Sequence, residues 1–565
     1  MPLGTTNRGN LYMINGKLKS RFAKQFAIGL GVALAVSTIA VPVSGAKQAP
    51  KAAAKNDLTI MIGEPNGGWC NQDSPGVDQI AAKNSVFETL TILNSDNKIV
   101  PYLAKSVTGS NENKTWTITL REGIMFHDGE ELTAATVQMN LMANLGIIKP
   151  FTGKGQAASL PAIAWQGIMP TASPAQWAAN VKIISKYVVE VNLGVKRPNF
   201  PYTLWNVGRP TIASTKTLQD PNCGNTMGAG TGPFMISSKG VDQFTTVLKA
   251  NPNYWRSTPA NKLPKASTVT FKVVGDAAQR VNALRKGQAD IASFGATSGQ
   301  QLNLLKTLKD KITLIEGPRE TTWSFHLNAT ALPFANKDAR EAFAQAFDTD
   351  SYTKLMTKGN GSPAYQLAVK EHPYYQPKGT LKFNLAKAKA SVAKYTAATG
   401  KSLDVVVPIS TTAESLKGAQ AICKMMEAAG MKCTIMSPVT SQQYILRGFG
   451  LQQQMSLFNV VAGRSAEFAN LFSTKTNLEL SGFRFVNPGL AKCFADAAEV
   501  DTRKAYSTCV LELQAQSYWV PGYVEGGFLA WTNTTKGIGT TPLPGGGVRP
   551  IIGASGFDIA SVTKG

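Results

Sequence analysis

Strand-like and helix-like segments alternate along most of this chain, and this alternation constrains its fold more than any other feature. In WTITLR the residues Trp116, Ile118 and Leu120 share one face of a predicted strand, because successive side chains of a strand point to opposite sides. Alternation of strands with helices predicts an α/β fold. The strand-like segments are DLTIMIGE (57–64), WTITLR (116–121), YVVEVNL (187–193) and TVTFKVV (268–274).

Two helix-like segments carry clear start signals. The segment GDAAQRVNALRKGQADIASF is predicted to begin a helix at Asp276 and to end it at Gly287, because Asp caps helix starts and Gly favours helix ends. The segment NKDAREAFAQAFD is predicted to begin a helix at Asn336. Their predicted buried faces contain Ala277, Val281 and Leu284, and Ala339, Phe343, Ala346 and Phe347.

Length and composition indicate a multidomain globular protein. A chain of 565 residues is longer than one ordinary hydrophobic core supports, so several domains are expected. Hydrophobic residues make up 43% of the chain and charged residues 16%, which is a globular balance.

The N-terminal segment resembles an export signal. Basic residues precede the apolar run FAIGLGVALAVSTIAVPVSGA, and small residues follow at Ser44 and Ala46. We predict a signal peptide over residues 1–46, because this order is typical of secretory leaders, and Pro42 also favours cleavage. A retained membrane anchor is the alternative, since the run approaches spanning length. AKQAPKAAAKND would then be a short polar tether.

The six cysteines all lie beyond this segment, so in an exported chain they are expected to form disulfides. We pair neighbours in sequence, Cys423 with Cys433 and Cys493 with Cys509, which leaves Cys70 with Cys223. A metal site is disfavoured, because the chain has no C-x-x-C and its three histidines, His127, His326 and His372, are scattered. No cofactor is expected.

The chain is strongly basic, with a formal net charge of +23. Residues 1–46 contribute five basic and no acidic residues, so +18 remains after them. Lysines such as Lys382, Lys387 and Lys394 are spread out as on solvated helix faces, without a nucleic-acid type run. We therefore expect solubility and some attraction for anions, and no nucleic-acid partner.

The pair His127–Asp128 could suggest catalysis. However, it follows the strand WTITLR and a second predicted short strand, IMFH, and Asp128–Gly129 is a turn dipeptide. Thr133 is then a suitable N-cap for a helix. A catalytic His would need a nucleophile or an acid within hydrogen-bond reach, and neighbouring residues supply none. His127 is therefore predicted to fix a turn.

The segment LAKSVTGSNENKTWTITLREGIMFHDGEELTAATV (103–137) resembles the signature of the family 5 extracellular solute-binding proteins of ABC importers, which include dipeptide-, oligopeptide- and nickel-binding proteins. Ordered matches over most of the chain are more specific than a single motif. Further similar segments are GTGPF (230–234), NPNYW (251–255), GDAAQRVNALRKGQADI (275–291), LNATALPFANKDAREAFAQAFD (327–348) and SYWVPGY (517–523).

The resemblance implies a two-lobed periplasmic-binding-protein fold of type II in the three-domain family 5 form, with a ligand cleft between the lobes. It also implies a non-enzymatic protein that captures a small organic solute or short peptide and passes it to an ABC permease in the membrane, acting as a periplasmic or extracytoplasmic monomer. An exported enzyme or a sensing or chaperone protein on the same scaffold is the alternative. The implied boundaries are 47–75, 205–295 and 516–565 for the first lobe, 76–204 for an added domain, and 296–515 for the second lobe.

The main departure from the family lies in MSLFNVVAGRSAEFANLF (455–472). Peptide-binding members carry an Asp there that takes the α-amino group, and Arg464 stands at that position, with Glu467 at a second Asp position. A guanidinium would favour a carboxylate or phosphate. Two interpretations stay open: Arg464 meets an anionic ligand group, or it points to solvent beside Glu467.

Aromatic residues in segments that border the family's cleft are further candidates for ligand contact. They are Trp69, which follows the first strand, Trp323, where the chain crosses into the second lobe, and Phe458 with its neighbour Asn459. Flat side chains bury area at low entropic cost, which suits a pocket that accepts varied solutes. A core aromatic is the alternative for each. The nickel interpretation is disfavoured by the dispersed histidines. The common hydrolase and metalloprotease motifs are missing from the sequence.

Overall fold

The computed structural model describes residues 56–63, 80–144, 179–220, 228–237, 244–370, 375–376, 381–461, 481–551 and 556–565. All of them lie in the unit formed by Ala53–Gly565.

The strands of the described residues are β1 Asp57–Ile62, β2 Glu88–Thr89, β3 Thr91–Leu93, β4 Ile99–Pro101, β5 Ala104–Ser110, β6 Thr115–Leu120, β7 Val181–Ser185, β8 Val188–Asn192, β9 Thr211–Ile212, β10 Phe234–Ile236, β11 Thr245–Ala250, β12 Thr268–Val273, β13 Ile291–Phe294, β14 Ile312–Glu316, β15 Thr321–Leu327, β16 Ser362–Pro363, β17 Asp404–Val407, β18 Lys432–Ile435, β19 Met455–Val461, β20 Trp519–Glu525, β21 Phe528–Thr532, β22 Thr535–Lys536 and β23 Thr563–Lys564.

The helices are α1 Ile80–Asn84, α2 Ala134–Asn144, α3 Phe200–Thr203, α4 Thr215–Gln219, α5 Ala277–Arg285, α6 Gly299–Lys306, α7 Lys337–Ala346, α8 Thr349–Thr357, α9 Leu385–Thr399, α10 Ala413–Ala428, α11 Ser441–Phe449, α12 Phe483–Val486, α13 Pro488–Val500 and α14 Arg503–Ala515. Short 3-10 turns cover Asn111–Asn113, Asn206–Gly208 and Ala296–Ser298. Within the described ranges, no helix is both long and apolar enough to span a bilayer.

A seven-stranded sheet with the order β10-β11-β12-β1-β13-β21-β14 forms the centre of what we call the first lobe. The central strand β1 is parallel to both neighbours, β12 and β13, whereas β21 and β14 run antiparallel to the adjacent strands. One face of the sheet packs Phe234, Phe271 and Leu529, and the other packs Phe294, Leu302 and Phe528.

A four-stranded antiparallel sheet with the order β16-β20-β15-β19 forms the centre of the second lobe. Phe325 of β15 lies in its core, where its ring meets Phe343 at 5.8 Å, Phe347 at 4.9 Å and Tyr352 at 5.7 Å. The parallel pair β17–β18 joins the same core through Val405 and Val407. Helices α13 and α14 pack in a separate cluster with Trp519.

A third, antiparallel sheet with the order β5-β6-β8-β7 lies within the predicted added domain. Trp116, Ile118 and Leu120 of β6 are buried, as the alternating pattern predicts. The predicted strand IMFH is wrong: its only bridge is between Met125 and Glu131, because the chain turns back at Gly129, whose φ is +86°.

The predicted helix starts are confirmed. The Asp276 side chain accepts hydrogen bonds from Ala278 N and Gln279 N, and the Asn336 side chain accepts from Asp338 N and Ala339 N. These caps satisfy the amide groups that have no partner inside the first helical turn.

Two predicted disulfides are confirmed. Cys423–Cys433 joins α10 to β18 with a Cα–Cα distance of 5.1 Å, and Cys493–Cys509 joins α13 to α14 at 5.7 Å. The third predicted pair, Cys70 with Cys223, lies outside the described residues, as do the predicted leader 1–46 and His372.

The chain crosses between the two large sheets twice, at residues 317–320 and at 526–527. β14 pairs with β21 in the first lobe, and β15 pairs with β20 in the second. This pairing favours lobe boundaries near 317 and 526 in place of 296 and 516, and the division into domains stays a prediction.

Candidate functional site

The two crossings between the lobes lie side by side. Gly317 N donates a hydrogen bond to Gly527 O at 3.0 Å. A Cβ at Gly526 would lie 2.0 Å from Gly317 O, and Gly527 has a φ of +69°. Glycine is therefore required here for close approach of the two backbones and for a left-handed conformation. Two neighbouring short connections between the lobes have the geometry of a hinge.

A carboxylate next to this hinge contacts both lobes. Glu525, the last residue of β20, is 9% exposed. Its Oε1 accepts a hydrogen bond from Trp323 Nε1 at 2.6 Å in the second lobe. Its Oε2 accepts one from Ala296 N at 2.7 Å in the first lobe. Hydrogen bonds to a charged acceptor are stronger than neutral ones, so this contact helps to fix the residues around Trp323 at the junction of the lobes, which we call the interlobe wall.

The Trp323 indole is half-buried and stacks on the Tyr523 ring, with 6.0 Å between centroids and 22° between planes. Burial, and to a lesser degree the neighbouring Glu525 charge, raises the pKa of Tyr523 well above its usual value, so its hydroxyl stays neutral. Asn459 lies opposite Trp323 in the β15–β19 register. Trp323 and Asn459 therefore share one face of the sheet.

Phe458 lies on the opposite face of the same sheet, because it pairs with Ser324 rather than with Trp323. Its ring meets His326 at 6.4 Å and Phe449 at 5.8 Å. Trp323 and Asn459 are thus brought together, and Phe458 is not part of that group. The other sequence candidates, Trp69, Arg464 and Glu467, lie outside the described residues.

Glu525 and Tyr523 complete this wall, and sequence analysis missed both. A signal existed: Glu525 ends the apolar run WVPGYVE and precedes two glycines. A buried carboxylate beside a Gly-Gly pair indicates a special position. What the sequence could not supply is its partner Ala296, which is far away along the chain.

Arg319 in the first crossing makes a second contact with both lobes. Its guanidinium donates to both Glu316 carboxylate oxygens, at 2.6 and 3.2 Å, and also to Ser362 Oγ. Glu316 ends β14 of the first lobe, and Ser362 begins β16 of the second. Residues on both sides of the crossing are therefore held by the same cation.

His127 takes no part in this wall. His127 Nε2 donates to Gly232 O at 2.9 Å, and Gly230 N donates to His127 Nδ1 at 3.3 Å, which defines a neutral imidazole. Burial lowers the pKa of His127 to about 4. A Cβ at Gly230 would lie 2.0 Å from Val86 O, so this glycine-rich loop packs against protein backbone and has no room for a phosphate. His127 fixes the turn, as predicted.

The described residues contain no group of three His, Cys, Asp or Glu side chains that could hold a metal ion. A groove of about 390 Å³ lies at the edge of the first-lobe sheet, lined by Thr313, Trp531, Asn533 and Lys536. These four residues all belong to the first lobe, whereas at the interlobe wall Glu525 contacts both lobes beside the two crossings. The interlobe wall is therefore the candidate functional site.

Comparison with known proteins decides the family. The family model of bacterial extracellular solute-binding proteins, family 5 Middle, matches residues 98–478. The chain belongs to this family. The predicted family membership and the predicted α/β, two-lobed periplasmic-binding-protein fold are confirmed.

Two relatives of this family 5 protein show how far the sequence similarity extends. The probable D,D-dipeptide-binding periplasmic protein DdpA of Escherichia coli (strain K12) is 30% identical over 267 residues, which cover 46% of this chain and 46% of DdpA. The glutathione-binding protein GsiB of Salmonella typhimurium (strain LT2) is 26% identical over 359 residues, or 63% of each chain. The chain therefore spans between 46% and 63% of the length of these relatives.

Solved structures match over a larger share of the family 5 chain. AgaA from A. tumefaciens R10, solved with agropinic acid, has a TM-score of 0.73 at 19% identity and covers 90% of this chain and 99% of its own. DppA from Helicobacter pylori, solved with the peptide STSA, has a TM-score of 0.73 at 17% identity, covering 90% and 98%. At these identities the similarity establishes the fold.

Proposed function

We propose that this protein is the extracytoplasmic solute-binding component of an ABC importer. It captures a peptide or another small organic solute by closure of its two lobes and delivers it to a membrane permease. The observation that carries this proposal is the pair of adjacent crossings at 317–320 and 526–527 beside a wall built from both lobes. Such a geometry supports reversible capture at the lobe interface.

The relatives in the family support a role in binding rather than catalysis. DdpA and GsiB are named for the D,D-dipeptide and the glutathione that they bind. We therefore propose a cycle without a covalent step, in which the solute is released unchanged. Recovery of an altered solute after incubation with the protein would instead indicate an exported enzyme on this scaffold.

The ligand wall that we propose combines Trp323 and Asn459 with the candidates Trp69, Arg464 and Glu467. Arg464 replaces the Asp with which peptide-binding members take an α-amino group. We therefore propose that the ligand presents a carboxylate or phosphate to Arg464, because a guanidinium pairs with such groups and repels an ammonium. Phe458, on the opposite sheet face, is a weaker candidate for this wall.

The compartment and the partners follow from the same proposal. Residues 1–46 act as a leader for export, and the protein works as a monomer beside a permease. The DdpA relative is named as periplasmic. The formal charge of +18 that remains after the leader is compatible with attraction of anionic solutes.

The first experiment is a thermal-shift screen of residues 47–565 against short peptides, small carboxylates, phosphates and sugars. A solute at a hundred times its dissociation constant adds about 2.7 kcal/mol to the free energy of unfolding. Stabilisation by at least one solute, recovered unchanged, is the expected result. A screen without any stabilising solute would overturn the proposal.

The Arg464 proposal has its own test. Arg464→Asp is expected to weaken binding of an anionic solute and to leave the binding of neutral solutes unchanged. Arg285→Asp, a matched charge reversal at an exposed position of α5, should change neither. Unchanged affinity for the anionic solute in Arg464→Asp, or stabilisation of the wild type only by peptides with a free amino terminus, would contradict this role.

A further inference from the structure

We propose that Glu525 is a positioning residue of the ligand site, and that its carboxylate couples closure of the lobes to the orientation of the Trp323 indole. This inference rests on the proposed function, because it concerns the same interlobe wall. It adds a residue that contacts Trp323 rather than the solute.

The two carboxylate oxygens of Glu525 accept hydrogen bonds from different lobes. Oε1 holds the Trp323 indole N–H at 2.6 Å, within the second lobe. Oε2 holds Ala296 N at 2.7 Å, in the 3-10 turn that follows β13 of the first lobe. One rigid carboxylate thus joins a backbone amide of one lobe to an aromatic side chain of the other.

Together, Tyr523 and Glu525 fix the indole. The Tyr523 ring, at 22° to the indole plane, restricts its tilt. The hydrogen bond from Trp323 Nε1 restricts rotation of the indole about its side-chain bonds. A solute that packs on Trp323 then meets a preorganised surface, which reduces the entropy lost on binding.

Lobe motion changes this arrangement because Glu525 and Ala296 lie on opposite sides of the hinge. A hydrogen bond weakens once its heavy atoms separate beyond roughly 3.2 Å, so a small displacement is enough to release Oε2. The freed carboxylate can then reorient, and Trp323 loses its fixed position. The ordered indole therefore belongs to the conformation in which Ala296 contacts Glu525.

Only a carboxylate can serve both partners. Trp323 Nε1 and Ala296 N are both donors, and an ionised carboxylate accepts at each oxygen. In Glu525→Gln the side chain has one acceptor oxygen and one NH₂ donor. The NH₂ group then faces one of the two N–H donors, and that hydrogen bond is lost. This variant changes little volume and removes one hydrogen bond.

The first test follows the Trp323 indole N–H by NMR in ¹⁵N-tryptophan protein, with its signal assigned by Trp323→Phe. Ala296→Pro removes the amide donor in the first lobe, at the first position of a 3-10 turn where proline is tolerated. We expect Ala296→Pro and Glu525→Gln each to shift the Trp323 signal. Ser481→Ala, which deletes the Trp519 Nε1 acceptor at 2.9 Å, should shift the Trp519 signal only.

The second test is a double-mutant cycle on affinity, with tri-alanine and succinate as probes. Glu525→Gln is expected to weaken binding about tenfold, as loss of a hydrogen bond to a charged group does. In a Trp323→Phe background the same change should have less than about a twofold effect, because Glu525 acts through Trp323.

Two results would overturn the inference: a Trp323 signal unchanged in both Ala296→Pro and Glu525→Gln, or an effect of Glu525→Gln on affinity that persists in full without Trp323. The NMR test needs no solute, so it separates failure of this inference from failure of the proposed function. If Glu525→Gln does not fold, Ala296→Pro alone decides, because it leaves the carboxylate in place.

Discussion

Lys306 of the first lobe donates a hydrogen bond to Asn360 Oδ1 of the second lobe at 2.6 Å. Asn360 is 1% exposed, and its Nδ2 reaches Gly299 O at 3.2 Å and Asn303 Oδ1 at 3.1 Å. One buried amide therefore connects helix α6 of the first lobe to the segment that follows α8 of the second. Together with Arg319 and Glu525, it holds the two lobes on the hinge side.

Asn360→Ala should lower the free energy of unfolding by about 1–3 kcal/mol, because it leaves the buried Gly299 carbonyl of α6 without this partner. Urea unfolding followed by circular dichroism measures the loss. Lys492→Ala is the control, since its ion pair with Asp496 has side chains 73% and 61% exposed and should contribute almost nothing. Equal stability of the two variants would contradict a role of Asn360 in the interlobe contact.

Gly526→Ala should destabilise the protein by about 1–3 kcal/mol, the usual cost of forcing an extra methyl group into a packed site. The added Cβ would lie 2.0 Å from Gly317 O, so the two crossings must move apart. Gly295→Ala is the matched control, because its Cβ would meet Glu525 Oε2 at an ordinary 3.6 Å. Thermal unfolding compares them, and small-angle X-ray scattering reports whether the lobes separate. A Gly526→Ala variant as stable as Gly295→Ala would count against close approach of the crossings.

His326→Phe should make stability less dependent on pH. Burial lowers the pKa of His326 to about 3, and its ring nitrogens have no hydrogen-bond partner among the described residues. The unfolded chain binds a proton near pH 6.5 and the folded chain does not, so stability falls as pH decreases from about 6.5 towards 3. At pH 5 this group costs the wild type about 2 kcal/mol.

Phenylalanine keeps the aromatic contact with Trp519, whose ring centre lies 3.8 Å from that of His326. Urea unfolding at pH 7.5 and pH 5 measures the difference. The variant should retain the dependence contributed by His127, which is of similar size over this range because burial lowers its pKa to about 4. An unchanged pH dependence would show that His326 is accessible to protons in the folded protein.

Arg256→Met should reduce the free energy of unfolding by about 3–5 kcal/mol, because it leaves a buried carboxylate without its cation. Arg256 Nη1 lies 2.9 Å from Asp558 Oδ2, with side chains 5% and 6% exposed, and also donates to Tyr102 OH at 2.9 Å. Chemical denaturation measures the loss. Lys186→Met removes an exposed ion pair with Glu131 and should be close to neutral. A small effect of Arg256→Met would indicate that water reaches Asp558.

Local signals in the sequence predicted local structure well. The caps at Asp276 and Asn336 depend on residues within a few positions of each other, and so does the alternation of β6. Such features can be recognised in a short stretch of sequence. The turn at Asp128–Gly129 was predicted for the same reason. The predicted strand IMFH failed because strand formation needs a partner, and there the chain turns back after a single bridge at Met125.

Long-range pairing could not be predicted from the residues alone. Trp323 and Phe458 are an example. Both are aromatic, yet the register between β15 and β19 places them on opposite faces of the sheet. The Gly-Gly pair after Glu525 marked it locally in the sequence, but its partner Ala296 belongs to the first lobe and is distant along the chain. Of the residues in the interlobe wall, the sequence singled out Trp323 and Asn459, and their role in ligand binding stays a prediction.

The position of β21 has a consequence for how the chain matures after synthesis. This strand lies between β13 and β14, and Trp531 pairs with both Ile291 and Thr313. Until it arrives, the edges of β13 and β14 have no neighbour to join them, so the first lobe cannot close its sheet while the chain emerges from a ribosome or a translocation channel. Completion of the first-lobe sheet therefore depends on a strand near the C-terminal end of the chain, a long-range pairing of the kind that slows folding.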